Sequence, residues 1–324
     1  MLDLSSTLDT MPATTCPPPP DRSRPDGRAA RWLLATRPAF LTLTLGGVLL
    51  GIAGSGGDAL WQRWPQAALA LLLALLCHAA VNVINDVADH DNGSDAANVA
   101  RQFPFTGGSR VIQNALLSRR DMVRLAQGLF ALVIAGGLLL VWLSGPWLLA
   151  IGVIGVVLGW GYSAPPLQLN SRGLGELCVL LCFTLLPLGA QVLLSGTPSL
   201  AMLAAALPYG LLAAALLYIN QFPDRDADAL AGKRHWVVRL APQQARYGYL
   251  LLVTLALLSL LAAIAAGLLP LRAMLLLPLW LLPARAAVTL WHNAAQPARL
   301  RPALIQTIAA ANLYPLALAA ILSC

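Results

Sequence analysis

The stretch AALALLLALLCHAAVNVINDVADHDNGSD, residues 67–95, joins an apolar run to a cluster of acidic side chains. The run Ala67–Asp86 carries no charge before its last residue, and about 20 apolar residues are enough for a helix to cross the hydrocarbon core of a bilayer. Acidic side chains are costly within a membrane and mark functional positions when they occur beside one. This segment therefore predicts both a membrane-spanning helix and a polar site at one of its ends.

The composition of the whole chain is that of a polytopic membrane protein. Hydrophobic residues make up 58% of the 324 positions and charged residues only 11%, whereas about 25% of the residues of soluble domains are charged. The apolar runs are rich in Leu and Ala and lack strand-like alternation, which favours helices. The predicted spans are Leu33–Ser55, Ala67–Asp86, Leu125–Leu143, Pro146–Tyr162, Leu174–Leu194, Leu200–Asn220, Tyr247–Leu269, Met274–Trp291 and Ala303–Leu322. The predicted fold is all-α, a bundle of nine transmembrane helices around a central cavity.

The distribution of basic residues predicts the orientation of this bundle. With the N-terminus inside, all of the 21 Lys and Arg residues except Arg63 and Arg272 fall on the inner side, as the positive-inside rule requires. We therefore expect a protein of the cell inner (plasma) membrane with a cytoplasmic N-terminus and an outer C-terminus. The formal charge of +7 is explained by topology and by contact with membrane lipid, so nucleic acid is not a predicted partner.

Residues 1–30 are predicted to be a disordered cytoplasmic tail, because PATTCPPPPDRSRPDGR (12–28) is polar and Pro-rich. The nine-helix domain is predicted to occupy residues 31–324. No apolar segment precedes residue 33, so the first span is expected to act as an uncleaved anchor.

Two segments between the spans, Val87–Arg124 and Gln221–Arg246, are predicted to be long cytoplasmic loops, and long loops in compact bundles are commonly functional. Seven of the chain's 14 acidic residues fall in two short stretches, 86–95 and 224–228, within these loops or directly before them. If the second and sixth spans continue as helices, residues three or four positions apart share one face. Each cluster then presents an amide and carboxylates from one surface, and two facing acidic clusters require cations between them.

Oxygen ligands without Cys or His partners suit Mg²⁺, which is usually held by one or two carboxylates together with substrate phosphates. The predicted metal ligands are Asn85, Asp86, Asp89, Asp95, Asp224 and Asp228, with Asn220 and Asp226 as further members of the network. The basic residues Arg110, Lys233 and Arg234 are predicted to donate to phosphate oxygens. Solvated charges that serve only topology are the alternative interpretation of each basic residue. Glu176 is predicted to pair with Arg172 one helical turn away.

These motifs resemble those of the UbiA superfamily of intramembrane prenyltransferases. Asn85, Asp86 and Asp89 match the opening of its first Asp-rich motif, and Asp224 and Asp228 match its second. A glycine replaces the third acid of the first motif at residue 93, and with the following acid at residue 95 it resembles the branch that prenylates 1,4-dihydroxy-2-naphthoate for menaquinone. The stretches AGKRHWVVRLA (231–241), FTGGSRVI (105–112) and YSAPPLQLNSRGLGE (162–176) also resemble the family.

The resemblance implies a Mg²⁺-dependent enzyme that transfers a polyprenyl group from a polyprenyl diphosphate to an aromatic acceptor through an allylic carbocation. It further implies that the residues of both acidic motifs are catalytic, with Asn220 in contact with substrate. Tyr162, directly after a helix, is predicted to stabilise the cation, with an interfacial aromatic anchor as the alternative. Arg37 is predicted to orient the acceptor or the diphosphate, with a snorkelling positive-inside residue as the alternative. Another aromatic acceptor, such as 4-hydroxybenzoate, remains an alternative, although the Arg-Thr-x-x-Arg-Pro continuation typical of those enzymes is absent. A secondary transporter is the alternative from another class, but its acids are expected near the middle of the helices.

Overall fold

The structure, a computed structural model, describes residues 27–323, and the regular elements of this range are all helical. Residues 1–26 of the predicted tail lie outside the described residues, while residues 28–30 belong to the first helix. The α-helices are α1 (Arg28–Ala35), α2 (Leu41–Ala53), α3 (Gly57–Asp91), α4 (Ser94–Ala97), α5 (Arg119–Ser144), α6 (Pro146–Ser163), α7 (Gly175–Ser195), α8 (Leu200–Leu230), α9 (Trp236–Arg239), α10 (Pro242–Ala265), α11 (Leu281–Asn293) and α12 (Arg301–Ser323). Short 3₁₀ helices occupy Pro38–Phe40, Leu169–Arg172, Leu271–Trp280 and Pro297–Arg299.

The predicted all-α membrane bundle is confirmed for the described range. Eight helical segments there are long and apolar enough to cross a bilayer, and α1 with Pro38–Ala53 forms a pair bent by 49° that gives a ninth crossing if the pair is one span. The bend falls at Arg37, whose backbone φ is 52° and which precedes Pro38. A left-handed residue followed by proline cannot continue an α-helix, which explains the break.

The two predicted long loops are wrong in extent, because helices occupy much of both. Helix α3 continues to Asp91 and α5 already begins at Arg119, while α8 continues to Leu230 and α10 begins at Pro242. Although Asp91 and Asp226 are exposed, Asp89 in the last turn of α3 and Asp228 in the last turn of α8 line an internal cavity. Their polarity therefore marks a buried site and not the end of a helix.

Helix α3 also begins earlier than predicted, at Gly57. It passes through Pro65 with a kink at Arg63, whose backbone is not helical (φ −128°, ψ 25°). The Arg63 guanidinium donates to the carbonyl of Leu193 at 3.0 Å. This contact fixes the kinked turn to α7 at the end of the bundle opposite the acidic residues.

Helix α8 lies at the centre of the bundle and packs against α7, α10 and α12. Small buried residues along it, including Ala205 and Ala214, let neighbouring backbones approach closely. Two fully buried tyrosines link it to its neighbours, since Tyr209 donates to the carbonyl of Leu43 at 2.5 Å and Tyr314 to that of Ala205 at 3.0 Å. These two hydrogen bonds join α8 to α2 and to α12 beside the cavity.

Candidate active site

A cavity of about 900 Å³ runs into the bundle from the ends of α3 and α8. Its mouth is lined by the polar residues of both acidic motifs, and its deeper walls include Leu73, Val133, Leu148 and Ile151. Leu73 precedes Asp89 by 16 residues on α3, which corresponds to about 24 Å along the helix axis. The cavity is therefore long, apolar in its depth and polar at one end.

The two acidic motifs meet at Lys233, directly after α8. Its Nζ lies 2.8 Å from Asp89 Oδ1 and 2.7 Å from Asp228 Oδ1. Burial alone would lower the pKa of Lys233, but the charges of Asp89 and Asp228 outweigh it and raise that pKa above the usual value for lysine. His235 Nε2 lies 3.1 Å from the second oxygen of Asp228. A buried cation thus already occupies the point where carboxylates of the opposing motifs converge.

Asp224 is held by the segment that follows α4. The Asn98 side-chain amide donates to Asp224 Oδ1 at 2.6 Å, and the backbone N–H of Gly107 donates to Oδ2 at 3.3 Å. Gly107 and Gly108 both have positive φ, 76° and 69°, which glycine adopts without steric cost. These two glycines therefore form a turn, and it closes over the second acidic motif.

Asp86 lies behind the cavity and does not line it. Its side chain forms an ion pair with Arg37 and accepts hydrogen bonds from the hydroxyl and backbone N–H of Ser109. Arg37 lines the mouth of the cavity, and its ion pair with Asp86 therefore fixes the orientation of the Arg37 guanidinium there. A Cβ atom on Gly108 would lie 2.9 Å from Asp86 Oδ1 and 3.0 Å from Arg37 Nη2, which shows how closely the glycine turn packs on this pair.

The first motif is connected to the stretch between α6 and α7. Asn85 donates to Asp89 Oδ2 at 3.2 Å and to the Ser163 hydroxyl at 3.1 Å, and the Asn170 amide donates to the same hydroxyl at 3.3 Å. The adjacent Tyr162 is half-buried and lines the cavity. Asn85 and Asp89 therefore face the cavity together, next to the tyrosine.

Asp95 and Asn220 also line the cavity. Burial, together with the nearby charges of Asp89 and Asp86, raises the pKa of Asp95 to about 7, and Gln113 donates to its carboxylate at 3.1 Å. The side-chain oxygen of Asn220 is buried and has no hydrogen-bond partner among residues 27–323. Both residues offer oxygen atoms to a bound group.

Besides Asp86, which was predicted to be a metal ligand, three further predicted network residues do not line the cavity. The Arg110 guanidinium donates to the backbone carbonyl of Asp95 at 2.6 Å, so it braces the loop from behind. Arg234 is exposed, and its backbone N–H donates to the backbone carbonyl of Ser171 at 2.7 Å. Asp226 is 91% exposed. Residues that are adjacent in sequence lie on different faces of a helix or turn, so their side chains point in different directions. Closeness to a motif in sequence was therefore not enough to predict that these side chains line the cavity.

The predicted pair of Glu176 and Arg172 is wrong. Glu176 accepts a hydrogen bond from the Gln221 amide at 2.8 Å, and Arg172 donates to the carbonyl of Pro166 at 2.7 Å. Arg172 precedes α7 in a 3₁₀ turn, so the helical spacing assumed for the pair does not apply. The bond between Glu176 and Gln221 instead ties α7 to α8 beside the cavity.

Within residues 27–323, no three His, Cys, Asp or Glu side chains converge closely enough to enclose a metal ion by themselves. The donors at the mouth are nevertheless oxygens, from Asp89, Asp224 and Asp228 and from the unpartnered amide of Asn220. Mg²⁺ is usually bound through one or two carboxylates together with substrate phosphates. The residues present fit a metal shared between protein and substrate, and they do not form a protein-only cage.

The sequence profile of the UbiA prenyltransferase family matches residues 34–308. The chain belongs to this family. Among its relatives, the 1,4-dihydroxy-2-naphthoate octaprenyltransferase of Haemophilus influenzae is 30% identical over 293 residues, which cover 85% of this chain and 90% of that protein. The protein of the same name from Mycobacterium tuberculosis is 32% identical over 224 residues, covering 68% and 73%.

The fold of solved UbiA proteins agrees with this assignment. A UbiA homologue from Archaeoglobus fulgidus, solved bound to GPP and Mg²⁺, superposes with a TM-score of 0.60 at 17% identity, over 90% of this chain and 99% of that one. The resemblance stated from the motifs is thereby confirmed, and the present UbiA chain is an integral membrane prenyltransferase.

Several site residues of this UbiA chain were not predicted from the sequence. Asn98, Ser109, Ser163, Asn170 and His235 each hold an acidic-motif residue, or that residue's partner, in place. All of them except Asn98 lie within the stretches that resemble the family. That resemblance is the feature of the sequence from which they could have been identified. Asn98 carried no such signal, because its contact with α8 depends on the path of the loop.

Proposed function

We propose that this UbiA prenyltransferase transfers a polyprenyl group from a polyprenyl diphosphate to 1,4-dihydroxy-2-naphthoate, a step of menaquinone biosynthesis. The names of the two relatives and the branch-like features around residues 93–95 and 231–241 support this acceptor. The structural observation that carries the proposal is the convergence of Asp89, Asp228 and Lys233 at the polar end of a long apolar cavity. That arrangement matches a substrate with a charged head and a hydrocarbon tail.

The mouth of the cavity is proposed to hold the diphosphate. Lys233 and Arg37 are the cations that line it, and both can donate to phosphate oxygens. Asn85, Asp89, Asp224 and Asp228 would hold Mg²⁺, with Asp95 and Asn220 close by. When bound, the metal supplies Lewis-acid neutralisation of the departing diphosphate.

The apolar depth of the cavity is proposed to take the prenyl chain and to exclude water. The C–O bond next to the diphosphate breaks with its electron pair leaving on oxygen, so the remaining allylic carbon becomes cationic. Tyr162 lines the cavity beside Asn85 and its partner Ser163, and an aromatic face stabilises a nearby cation. Exclusion of water by the apolar wall allows a carbon of the aromatic ring to bond to the allylic cation before water does. The ring then regains its aromaticity by losing a proton, or CO₂ where that carbon carries the carboxylate.

The two alternatives from the sequence are less well supported. The geometry alone also suits another aromatic acceptor, such as 4-hydroxybenzoate or a different quinone or pigment precursor, and the acceptor panel described below separates these. A secondary transporter would place acids near the middle of the membrane. Here Asp89 lies in the last turn of α3 and Asp228 in the last turn of α8, which favours binding of a headgroup at the membrane surface.

The location and orientation are proposed from the charge pattern. The mouth of the cavity would face the cytoplasm, with the protein in the inner (plasma) membrane, an inner N-terminus and an outer C-terminus. Water-soluble acceptor and Mg²⁺ would then reach the mouth from the cytoplasm, while the prenyl tail stays in lipid.

The test is a transfer assay with purified protein, geranylgeranyl diphosphate, Mg²⁺ and a panel of aromatic acids. We expect prenylated 1,4-dihydroxy-2-naphthoate as the main product, and no product after metal removal by EDTA. Asp89→Ala and Asp224→Ala should each lower turnover by at least about 100-fold, since each removes an oxygen ligand of the Mg²⁺ that would neutralise the departing diphosphate. Asp226→Ala, at an exposed position of the same helix, is the matched control and should retain activity. Full turnover of both cavity variants, or solute transport without diphosphate release, would contradict the proposal.

A further inference from the structure

Two polar side chains face the cavity below its acidic mouth. His78 on α3 and Thr44 on α2 both line it, and Thr44 Oγ1 lies 2.7 Å from His78 Nδ1. His78 precedes Asn85 by seven residues, so the two share one face of α3 and lie about 10 Å apart along its axis. The pair therefore sits deeper in the cavity than the diphosphate end.

The imidazole of His78 is held in one orientation. Thr44 is only 2% exposed, and the Phe183 ring meets the imidazole edge to face with 5.7 Å between centroids. Phe183 is held in the same way by Tyr209, also at 5.7 Å, and the Tyr209 hydroxyl is fixed on the carbonyl of Leu43. Because Nδ1 is engaged by Thr44, Nε2 is the ring nitrogen without a hydrogen-bond partner among residues 27–323.

The cavity that His78 lines is largely apolar below its mouth. Leu43, Val48, Cys77 and Leu186 belong to the same lining, and Arg37 at the mouth acts electrostatically on His78. A polar atom left without a partner in such a place is unfavourable, and a prenyl chain offers no group that could satisfy it. A ring hydroxyl can either donate or accept a hydrogen bond, so it satisfies Nε2 in either tautomer of the imidazole.

We infer that His78 binds a ring hydroxyl of the aromatic acceptor and that Thr44 positions the imidazole for this contact. The inference rests on the proposed function and goes beyond it by naming where the acceptor lies. The distance between His78 and Asn85 leaves room for the allylic carbon and one aromatic ring between them. His78 thereby determines which ring carbon faces the diphosphate end of the cavity.

Steady-state kinetics of His78→Leu test the inference. We expect the KM for 1,4-dihydroxy-2-naphthoate to rise by at least about tenfold, as for a polar ligand group that loses its buried partner. The KM for geranylgeranyl diphosphate should stay unchanged. His78→Gln, which keeps a hydrogen-bonding end, should recover most of the loss, and Thr44→Val should raise the acceptor KM by about threefold because the ring loses its anchor. His292→Leu, an exposed histidine on α11, is the matched control and should behave as the wild type.

Acceptor analogues separate binding from a purely structural role. Two naphthoates that each lack one of the two ring hydroxyls are compared in the wild type and in His78→Leu. For one of the two analogues, the KM of the wild type should be about tenfold higher than its KM for 1,4-dihydroxy-2-naphthoate. The KM of His78→Leu should be the same for both acceptors, because the analogue and the mutation remove the same contact. If His78→Leu does not fold, His78→Met, which is unbranched and adapts to irregular spaces, takes its place.

The opposite results are equally clear. An equal rise of both KM values, or the same loss with every acceptor, would show that His78 only supports the packing of α2 and α3 and would overturn the inference. An unchanged acceptor KM in a folded variant would do the same. A wild type that prenylates no aromatic acid would instead overturn the proposed function itself, and the inference with it.

Discussion

Lys233 keeps apart two carboxylates that would otherwise face each other. Its ammonium lies within 2.8 Å of both Asp89 and Asp228, and only 9% of its side chain is exposed. Removing one partner of a buried ion pair typically costs about 3–5 kcal/mol, because the remaining charge stays buried. We therefore expect Lys233→Met to lower the melting temperature in metal-free detergent solution by several degrees, as measured by thermal unfolding.

The neighbouring Arg234 provides the control for this variant. It is exposed, so Arg234→Met should melt as the wild type does. Added Mg²⁺ should return part of the stability lost in Lys233→Met, since a divalent cation can replace the ammonium between the carboxylates. A Lys233→Met protein that melts like the wild type without metal would show that the two carboxylates do not depend on this lysine.

Asp95 makes stability depend on pH in a defined direction. Its pKa in the folded protein is raised to about 7 by burial and by the nearby carboxylates, whereas an unfolded aspartate has a pKa of about 3.9. The folded state therefore binds the proton more tightly, so this group's stabilisation is complete below pH of about 4 and is lost as the pH rises to about 7. We expect Asp95→Asn, which is always neutral, to raise the melting temperature more at pH of about 8 than at pH of about 5.

The measurement for Asp95→Asn is thermal unfolding in metal-free buffer at both pH values. Asp226→Asn is the control, because its exposed carboxylate should give no such difference. An equal effect of Asp95→Asn at the two pH values would contradict the raised pKa.

The glycine turn after α4 is a structural element that closes the site. Gly108 has a φ of 69°, and a Cβ atom there would press on Asp86 and Arg37. We expect Gly108→Ala to lower turnover by about tenfold, because both the strained backbone and the contact displace the loop that holds the acidic residues. Gly128→Ala in α5, where a Cβ atom meets nothing within 4 Å, should keep full activity. Turnover of the two variants in the transfer assay is compared, and equal rates would show that the turn tolerates displacement.

The ends of the helices were harder to predict than their existence. The apolar runs identified the spans because their length is set by the bilayer, a constraint that acts on each segment separately. The acidic last turns of α3 and α8 look like solvent-exposed loops in the sequence, although they are helical and face a cavity. Only packing against other elements decides between these possibilities, and a single sequence does not contain that information.

The site was predictable to a similar degree. Spacing along one helix placed Asn85 with Asp89, because such neighbours depend only on helical geometry. Contacts between elements were not predictable in this way, so Asn98 was missed and Arg110 was assigned to phosphate although it supports the backbone. Lys233 was chosen for its charge, yet its role as the link between both motifs depends on the tertiary structure.

At the scale of the whole molecule, the crossings determine on which side of the membrane each segment lies. If the bent pair is one crossing, the described range 27–323 crosses nine times, and its two ends would lie on opposite sides. We expect reporter fusions to show the N-terminus and the loop at residues 98–118 in the cytoplasm and the C-terminus outside. Labelling of single cysteines in these segments with a membrane-impermeant reagent gives an independent measurement. Both termini on one side would mean that one helical segment does not cross.

Asp89 and Asp228 share a position that has an electrical consequence. Each lies within the last turn of its helix, where the aligned peptide dipoles give the helix end a partial negative charge. An acidic side chain is unfavourable at such an end, so both acidic motifs work against the stability of the helices that carry them. A bound cation would offset the repulsion between carboxylate and helix dipole at the ends of both helices. We therefore expect the final turns of α3 and α8 to fray less when metal is bound.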